Sequence, residues 1–384
     1  MKLKLHGLSI MLALLAPATS SVLGAQWTVV TTNAGWSQRV TFGAVTFNNQ
    51  MWVLGGETAT SLANDVWSST NGADWTFVTN AAWSPRATFG AVTLNGQMWV
   101  LGGQTSTTYN NDVWSSTNGA DWTLVTNNAP WNGREIFGAV ALNGRMWVLG
   151  GYNSTSGAGT NDVWSSTNGL SWTQVTNNAP WGLRISFGAV AFSNQMWVLG
   201  GTTTSGNDTN DVWSSTNGLA WTRVTNAAAW GPRDSFATAT FSNQLWVLGG
   251  TIYSATPFNT NFVYSSSNGA AWTAVTNAAP WSPRVFADAV TFNNQMWLLG
   301  GFPLATGYAN DVWVYGANAN TLLTITHSGN VAIISWPASA TGWTLQTNLS
   351  LSPGTWGNYT GNTSNNSATN STTTGNLFFR LTQP

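Results

Sequence analysis

The sequence has no cysteine, and only 6% of its residues are charged, against about 25% in ordinary soluble domains. Its two lysines, Lys2 and Lys4, stand at the very start, and its histidines are His6 and His327. Beyond residue 25 there is no lysine and one histidine, and nine arginines against twelve acids leave a net side-chain charge of −3. Each absence excludes a chemistry. Without cysteine there is no thiol nucleophile, and without lysine no Schiff-base amine. A single histidine near the C-terminus leaves no Ser–His–Asp triad in the body of the chain and no histidine-built metal site. With no basic patch to neutralise phosphates, nucleic acid is excluded as a partner. Disulfides cannot hold the fold, so burial and strand pairing must, and 26 tryptophans supply apolar surface for that.

Long apolar runs are missing as well. The longest covers residues 8–16, well short of the ~20 needed to span a bilayer. It follows Lys2 and Lys4 and leads through small residues to Ala25. That order reads as a secretory signal peptide over 1–25, cleaved near Gly24 or Ala25, with Ala16-Pro17-Ala18 a competing site. A secreted or cell-surface protein without a membrane span is expected.

What is present is a repeat. Met51-Trp52-Val53-Leu54-Gly55-Gly56 recurs from Met98, Met146, Met196, Leu245 and Met296, at spacings of 47 to 51 residues. Each copy reads as four strands. In the first, strand a covers 42–47, strand b 51–54, strand c 65–69 and strand d 75–78. Strand a is small (Gly43-Ala44), as a strand near a crowded axis must be. Strand b is apolar throughout, as expected when both faces are covered. Asn71-Gly72 between strands c and d is a hairpin signal, because both turn positions favour φ > 0. Four antiparallel strands every 40–50 residues is the signature of a propeller blade. The last copy stops at strand c, Asp311-Val312-Trp313-Val314-Tyr315, whereas Trp27-Thr28-Val29-Val30 is an orphan with the sequence of a strand d. The orphan is expected to complete the sixth blade and close the ring, the alternative being five blades with frayed ends.

The double glycine, then Asn-Asp-Val-Trp, Trp75 and Trp83-Ser84-Pro85-Arg86 together resemble the kelch family of β-propellers over about residues 26–316. In the fifth copy, Asn261-Phe262-Val263-Tyr264 replaces Asn-Asp-Val-Trp. Residues 68–75 also resemble the Asp-box turn of sialidase-type propellers, with Thr70 where that motif has Asp. Galactose oxidase carries a kelch-type propeller too, but its copper needs Cys, Tyr and His ligands, so the resemblance brings no copper here and no cofactor is expected. From about residue 317 the pattern changes. Strands over 331–336, 342–347 and 377–381, with a loose Asn/Ser/Thr tract over 358–376, resemble a small fibronectin- or immunoglobulin-like sandwich over 317–384. The expected class is therefore all-β, a six-bladed kelch-type propeller closed by an N-terminal strand plus a C-terminal β-sandwich.

Residues present in every copy are first of all blade builders. Asp65, Asp112, Asp162, Asp211 and Asp311 repeat, where a carboxylate can accept backbone N–H bonds in the b–c turn, and Asp74 and Asp121 repeat beside the tryptophan of strand d. The unrepeated acids are Glu57, Glu135, Asp208, Asp234 and Asp288. Variation in length falls in the b–c segments, 57–63, 104–110, 152–160, 202–209, 251–260 and 302–309, which share one face with the d–a connections. Variable loops on a rigid scaffold are where binding resides. That face also carries Arg39, Arg86, Arg134, Arg184, Arg233 and Arg284 and the tryptophans Trp36, Trp83, Trp131, Trp181, Trp230 and Trp281. In peptide-binding kelch propellers, arginines at this position can line the ligand face; the plainer reading has them bond blade carbonyls while the tryptophans cap the core. Glu135 and Asp234 break the symmetry beside two arginines. Tyr109, Tyr152, Tyr253, Tyr308, Phe258 and Phe302 are unrepeated loop aromatics able to stack on a sugar or peptide. The expected function is a secreted, non-catalytic binding protein taking a protein or glycan on this face. Two alternatives stand beside it. One is a carbohydrate-active hydrolase using two of Glu57, Glu135, Asp234 and Asp288; the other is a structural surface or matrix spacer.

Overall fold

A computed structural model describes residues 2–5, 8–11, 26–153, 155–252 and 258–316, and in the C-terminal part 324–328, 331–336, 344–348, 356–360, 363–364, 367–371 and 378–382. The described residues form strands and turns, with no helix and hence none long and apolar enough to cross a membrane. The chain divides into two units: Trp27–Tyr315, and Met1–Gln26 together with Gly316–Pro384.

In the first unit each of the first five repeats builds four antiparallel strands, those of the third and fourth joined into one sheet, while the last repeat builds three, and the sheets take a propeller-like arrangement. The first repeat contributes Gly43–Phe47, Gln50–Thr58, Leu62–Ser69 and Thr76–Asn80, paired in that order. The second strand is longer than the sequence reading has it. It runs through Gly55-Gly56 with a bulge between Leu54 and Gly56 and continues to Thr58, which pairs with the short strand Arg39–Val40. Much of each variable b–c segment is thus a hairpin extension rather than free loop. Its middle is the core: Met51, Val53 and Leu54 are fully buried, because a neighbouring sheet covers each face.

The two glycines answer two neighbours. A Cβ on Gly55 (φ 47°) would sit 3.1 Å from the Trp83 ring of the next repeat, and one on Gly56 (φ 100°) 2.6 Å from Phe42 Cβ. Both also take the left-handed φ that a side chain resists. The expected Asn71-Gly72 hairpin is corrected in detail. Gly72 takes a positive φ of 73°, Asn71 does not, and the two-residue turns with both φ positive are instead Asn48-Asn49 and its counterparts between the first and second strands. At the Asn-Gly step the chain makes a wider turn, held by side chains. Ser69 Oγ accepts from the Gly72 N–H at 2.8 Å, and Asn71 Oδ1 accepts from Ala73 and Asp74.

The innermost strands contact one another in sequence order, and Asp288–Phe292 of the last repeat contacts Gly43–Phe47 of the first. A backbone circuit runs above them. Thr41, Thr88, Ile136, Ser186 and Ser235 each accept from the N–H of the next repeat's counterpart, and Phe286 accepts from Thr41, at 2.9–3.4 Å. All six residues hold φ between 47° and 56°. The strand Gln26–Thr31 lies beside Ala309–Gly316 in the sheet of the last repeat. Trp27 packs on Tyr315 with centroids 5.2 Å apart.

In the second unit, Lys2–Leu5 pairs with Leu8–Met11. The C-terminal part holds a four-stranded and a three-stranded antiparallel sheet, with Ile334, Leu345, Ala368 and Phe379 buried. The tract expected to be loose contains Thr363–Ser364 and Ser367–Ser371, the latter paired along Val331–Ser335. Strand pairing to an apolar neighbour overrides the polar composition there.

Candidate functional site

The arginines expected on the ligand face lie inside their own repeats. Arg39, Arg86, Arg134, Arg184, Arg233 and Arg284 are all at most 3% exposed. Arg39 Nη1 and Nη2 donate to Asp65 Oδ1 and Oδ2 at 2.6 and 2.7 Å, and Nη1 also donates to the Gly55 carbonyl at 2.7 Å. The same fork joins Arg86 to Asp112, Arg134 to Asp162, Arg184 to Asp211 and Arg284 to Asp311. A guanidinium buried so deeply needs its charge and donors met internally, which is why the five arginines paired to aspartate do not also face a ligand. The aspartates likewise depart from expectation. Rather than accepting turn N–H groups, Asp65 takes the guanidinium and the Trp67 indole N–H, at 2.7 Å. Burial pushes the carboxyls of Asp65, Asp162 and Asp211 up, but the arginine bonds and charge and the indole outweigh it and hold them below the usual range. The tryptophan ring is core too. Trp36, Trp83, Trp131, Trp181, Trp230 and Trp281 are at most 2% exposed, each beneath an arginine and edge-on to a second tryptophan, as Trp83 is to Trp122.

Arg233 is the exception. Phe262 stands where the other repeats place aspartate, and all twelve acids of the chain lie among the described residues. Arg233 Nη1 donates to the Gly249 carbonyl at 2.9 Å, Nη2 donates to the Trp230 carbonyl, and the rings of Trp230 and Tyr264 flank the guanidinium. Burial without a counter-charge lowers its pKa to about 10, Tyr264 opposing weakly.

The unrepeated residues of the same face are brought together in three places. Tyr109 and Tyr152, from adjacent repeats, have ring centroids 5.8 Å apart. Glu135, paired across the ladder with Tyr152, accepts from Thr88 Oγ1 at 3.0 Å, with the Tyr109 hydroxyl close enough to influence its titration. Burial raises its pKa, the two hydroxyls opposing. Tyr308 donates to Glu57 at 2.9 Å across the junction of last and first repeats, with Phe302 edge-on to its ring. Thr202 Oγ1 lies 2.8 Å from Asp208 Oδ1 and 2.9 Å from Asp234 Oδ2. One hydroxyl has one proton, so both contacts are attractive only when one carboxyl is itself protonated. Accordingly burial, with a smaller push from Asp234, raises Asp208 to about 6, and Asp234 is raised by burial too. Tyr253 lies outside the described residues, and Phe258 is exposed without joining a cluster.

A cavity of about 170 Å³ is lined by residues of every repeat, from Thr41 and Phe42 in the first to Phe286, Ala287 and Asp288 in the last, and takes in Thr88 from the first of these groups. The Phe-Gly step of the other innermost strands becomes Phe236-Ala237 in the fifth repeat and Ala287-Asp288 in the sixth. A Cβ at Gly188 would meet the Phe236 ring at 2.7 Å; the fifth repeat tolerates Ala237 because the residue that would cover it is Ala287. Asp288 thereby puts a carboxyl at the waist of the channel. Its Oδ2 accepts from the Ala44 N–H of the first repeat at 2.8 Å, and burial raises it to about 6 against that bond and the Ala289 N–H. Sequence reading missed Thr88, Thr202 and Asp208 as partners. Only the departure of Ala287-Asp288 from Phe-Gly was visible beforehand.

The kelch motif matches residues 85–115. No curated protein matches the chain. Among solved structures, one titled "Structure of YjhT" is similar, with a TM-score of 0.62 and 15% identity over 77% of this chain and 97% of that one. At that identity the likeness concerns the fold alone, in keeping with the propeller-like arrangement of the sheets, and the motif places a kelch repeat at residues 85–115.

Proposed function

We propose that the chain is an exported binding protein, processed after residues 1–25, whose residues 26–316 form a six-bladed propeller closed by Gln26–Thr31 and whose residues 317–384 form a fibronectin- or immunoglobulin-like sandwich. The backbone circuit through all six repeats and the pairing of Gln26–Thr31 with Ala309–Gly316 support the ring. The kelch motif supports a binding role. The observation that carries the site is the three groupings of unrepeated residues, Glu135 with Tyr109 and Tyr152, Glu57 with Tyr308, and Asp208 with Asp234, on the loop face where five of the six arginines are already spent on internal ion pairs. Half-buried carboxylates accept from hydroxyls, and tyrosine faces offer stacking surface. That combination suits a neutral, hydroxyl-rich ligand, so a glycan is favoured over a protein. A glycan array followed by titration tests it. Glu135→Gln and Tyr152→Ala are expected to weaken binding at least tenfold with unchanged melting temperature; equal binding by both variants would sink the reading.

The Asp208–Thr202–Asp234 group favours the hydrolase as second reading. Two carboxyls bridged by one hydroxyl at 2.8 and 2.9 Å stand at a spacing compatible with the roughly 5–5.5 Å of a retaining pair. A panel of nitrophenyl glycosides decides it: turnover by the wild type that Asp234→Asn abolishes supports catalysis, and no turnover removes it.

A further inference from the structure

Five repeats close a buried guanidinium with an aspartate and the indole N–H of the tryptophan two residues on. In the fifth both partners change together, to Phe262 and Tyr264. The aspartates are 14–18% exposed while their arginines are at most 3% exposed, so the carboxylate position opens on solvent although the cation behind it does not. Arg233 instead keeps Nη1 on the Gly249 carbonyl and, at 3.5 Å, on Thr260 Oγ1, and Nη2 on the Trp230 carbonyl, all neutral acceptors in a place that elsewhere holds a carboxylate. Its Nε, like that of Arg184, has no partner among the described atoms. The acid beside it in sequence, Asp234, is turned to Thr202. A buried cation left without a counter-charge is costly, and a guanidinium matches a carboxylate in shape as well as charge.

We infer that the fifth repeat carries a seat for an external carboxylate, bound by Arg233 in the position that aspartate fills in the other repeats. The ligand is a monocarboxylate group, from a peptide C-terminus or a sugar acid. The seat does not depend on a ligand binding at the unrepeated carboxylates and tyrosines of that face.

The test uses ¹³C-labelled acetate, followed by line broadening and by thermal shift at constant ionic strength, on wild type, Phe262→Asp and Arg233→Lys. A saturable acetate response is expected in the wild type. Phe262→Asp supplies the missing carboxylate internally; it is expected to melt higher without acetate and to bind acetate at least tenfold more weakly. Arg233→Lys keeps the charge but loses the fork, and is expected to lose acetate affinity similarly. No saturable response in the wild type, an equal response in Phe262→Asp, or chloride acting as strongly as acetate would each overturn the proposal. A short peptide acid against its amide, and glucuronate against glucose, then identify the source. Binding of either acid supports the seat.

Discussion

At the level of single residues, the chain uses its few charges twice over, and their pKa shifts run in opposite directions. Asp65, Asp162 and Asp211 sit below the usual carboxylate range. Their contribution is present above the unfolded value of 3.8 and is lost as acid protonates them. Asp208 and Asp288, raised from 3.8 to about 6, do the reverse. The folded state keeps protons there that the unfolded chain releases, so stability is fully present below pH 3.8 and falls as pH rises to about 6. Melting temperature measured from pH 4 to 7 is expected to fall less steeply in Asp208→Asn than in the wild type, since the amide supplies the donor that the protonated acid supplies. An identical pH profile would show that the shared proton is absent. The sequence displayed the arginines and aspartates at fixed repeat positions, but not that they meet. Arg39 and Asp65 are separated by 26 residues, and only the register of Arg39–Val40 on the end of the second strand brings them together. The missing aspartate at Phe262 was visible; its meaning needed the pair.

At the level of strands and turns, the repeat was legible because each element answers the same neighbours six times. The double glycine and the four-strand order were readable from period and residue type. The wider turn at Asn71-Gly72 was not, because its cause lies in another repeat. A Cβ on Gly72 would sit 2.2 Å from the Trp297 ring, and Gly119, Gly169, Gly218 and Gly269 each face a tryptophan in the same way. The turn is a socket for a ring as much as a reversal of the chain. Gly72→Ala therefore strains the backbone and displaces Trp297, at a cost of about 2–4 kcal/mol from positive φ and overpacking together. Urea unfolding checks this: the midpoint should drop with little change in slope. Gly144→Ala, also at positive φ but with no atom near its Cβ, should cost less, about 1–2 kcal/mol. Equal losses in the two variants would show that backbone strain alone governs these turns.

At the level of the whole molecule, the strand nearest the start of the repeat region completes the sheet at its end. Deleting residues 26–31 leaves Ala309–Gly316 as an exposed edge. Such edges recruit other chains. The truncated protein is expected to exchange the backbone amides of Asp311–Tyr315 orders of magnitude faster in hydrogen exchange and to associate on light scattering. A monomer with protected amides there would show that the strand is dispensable. The backbone circuit also bears on how the array of repeats can grow. Thr41, Thr88, Ile136, Ser186, Ser235 and Phe286 pass hydrogen bonds in one direction around the axis until the last returns to the first. A loop of bonds with no beginning admits no fractional member. Duplicating or losing one module by recombination would open the loop unless every angle between neighbours were reset at once, so repeat number is locked in a way that loop sequence is not.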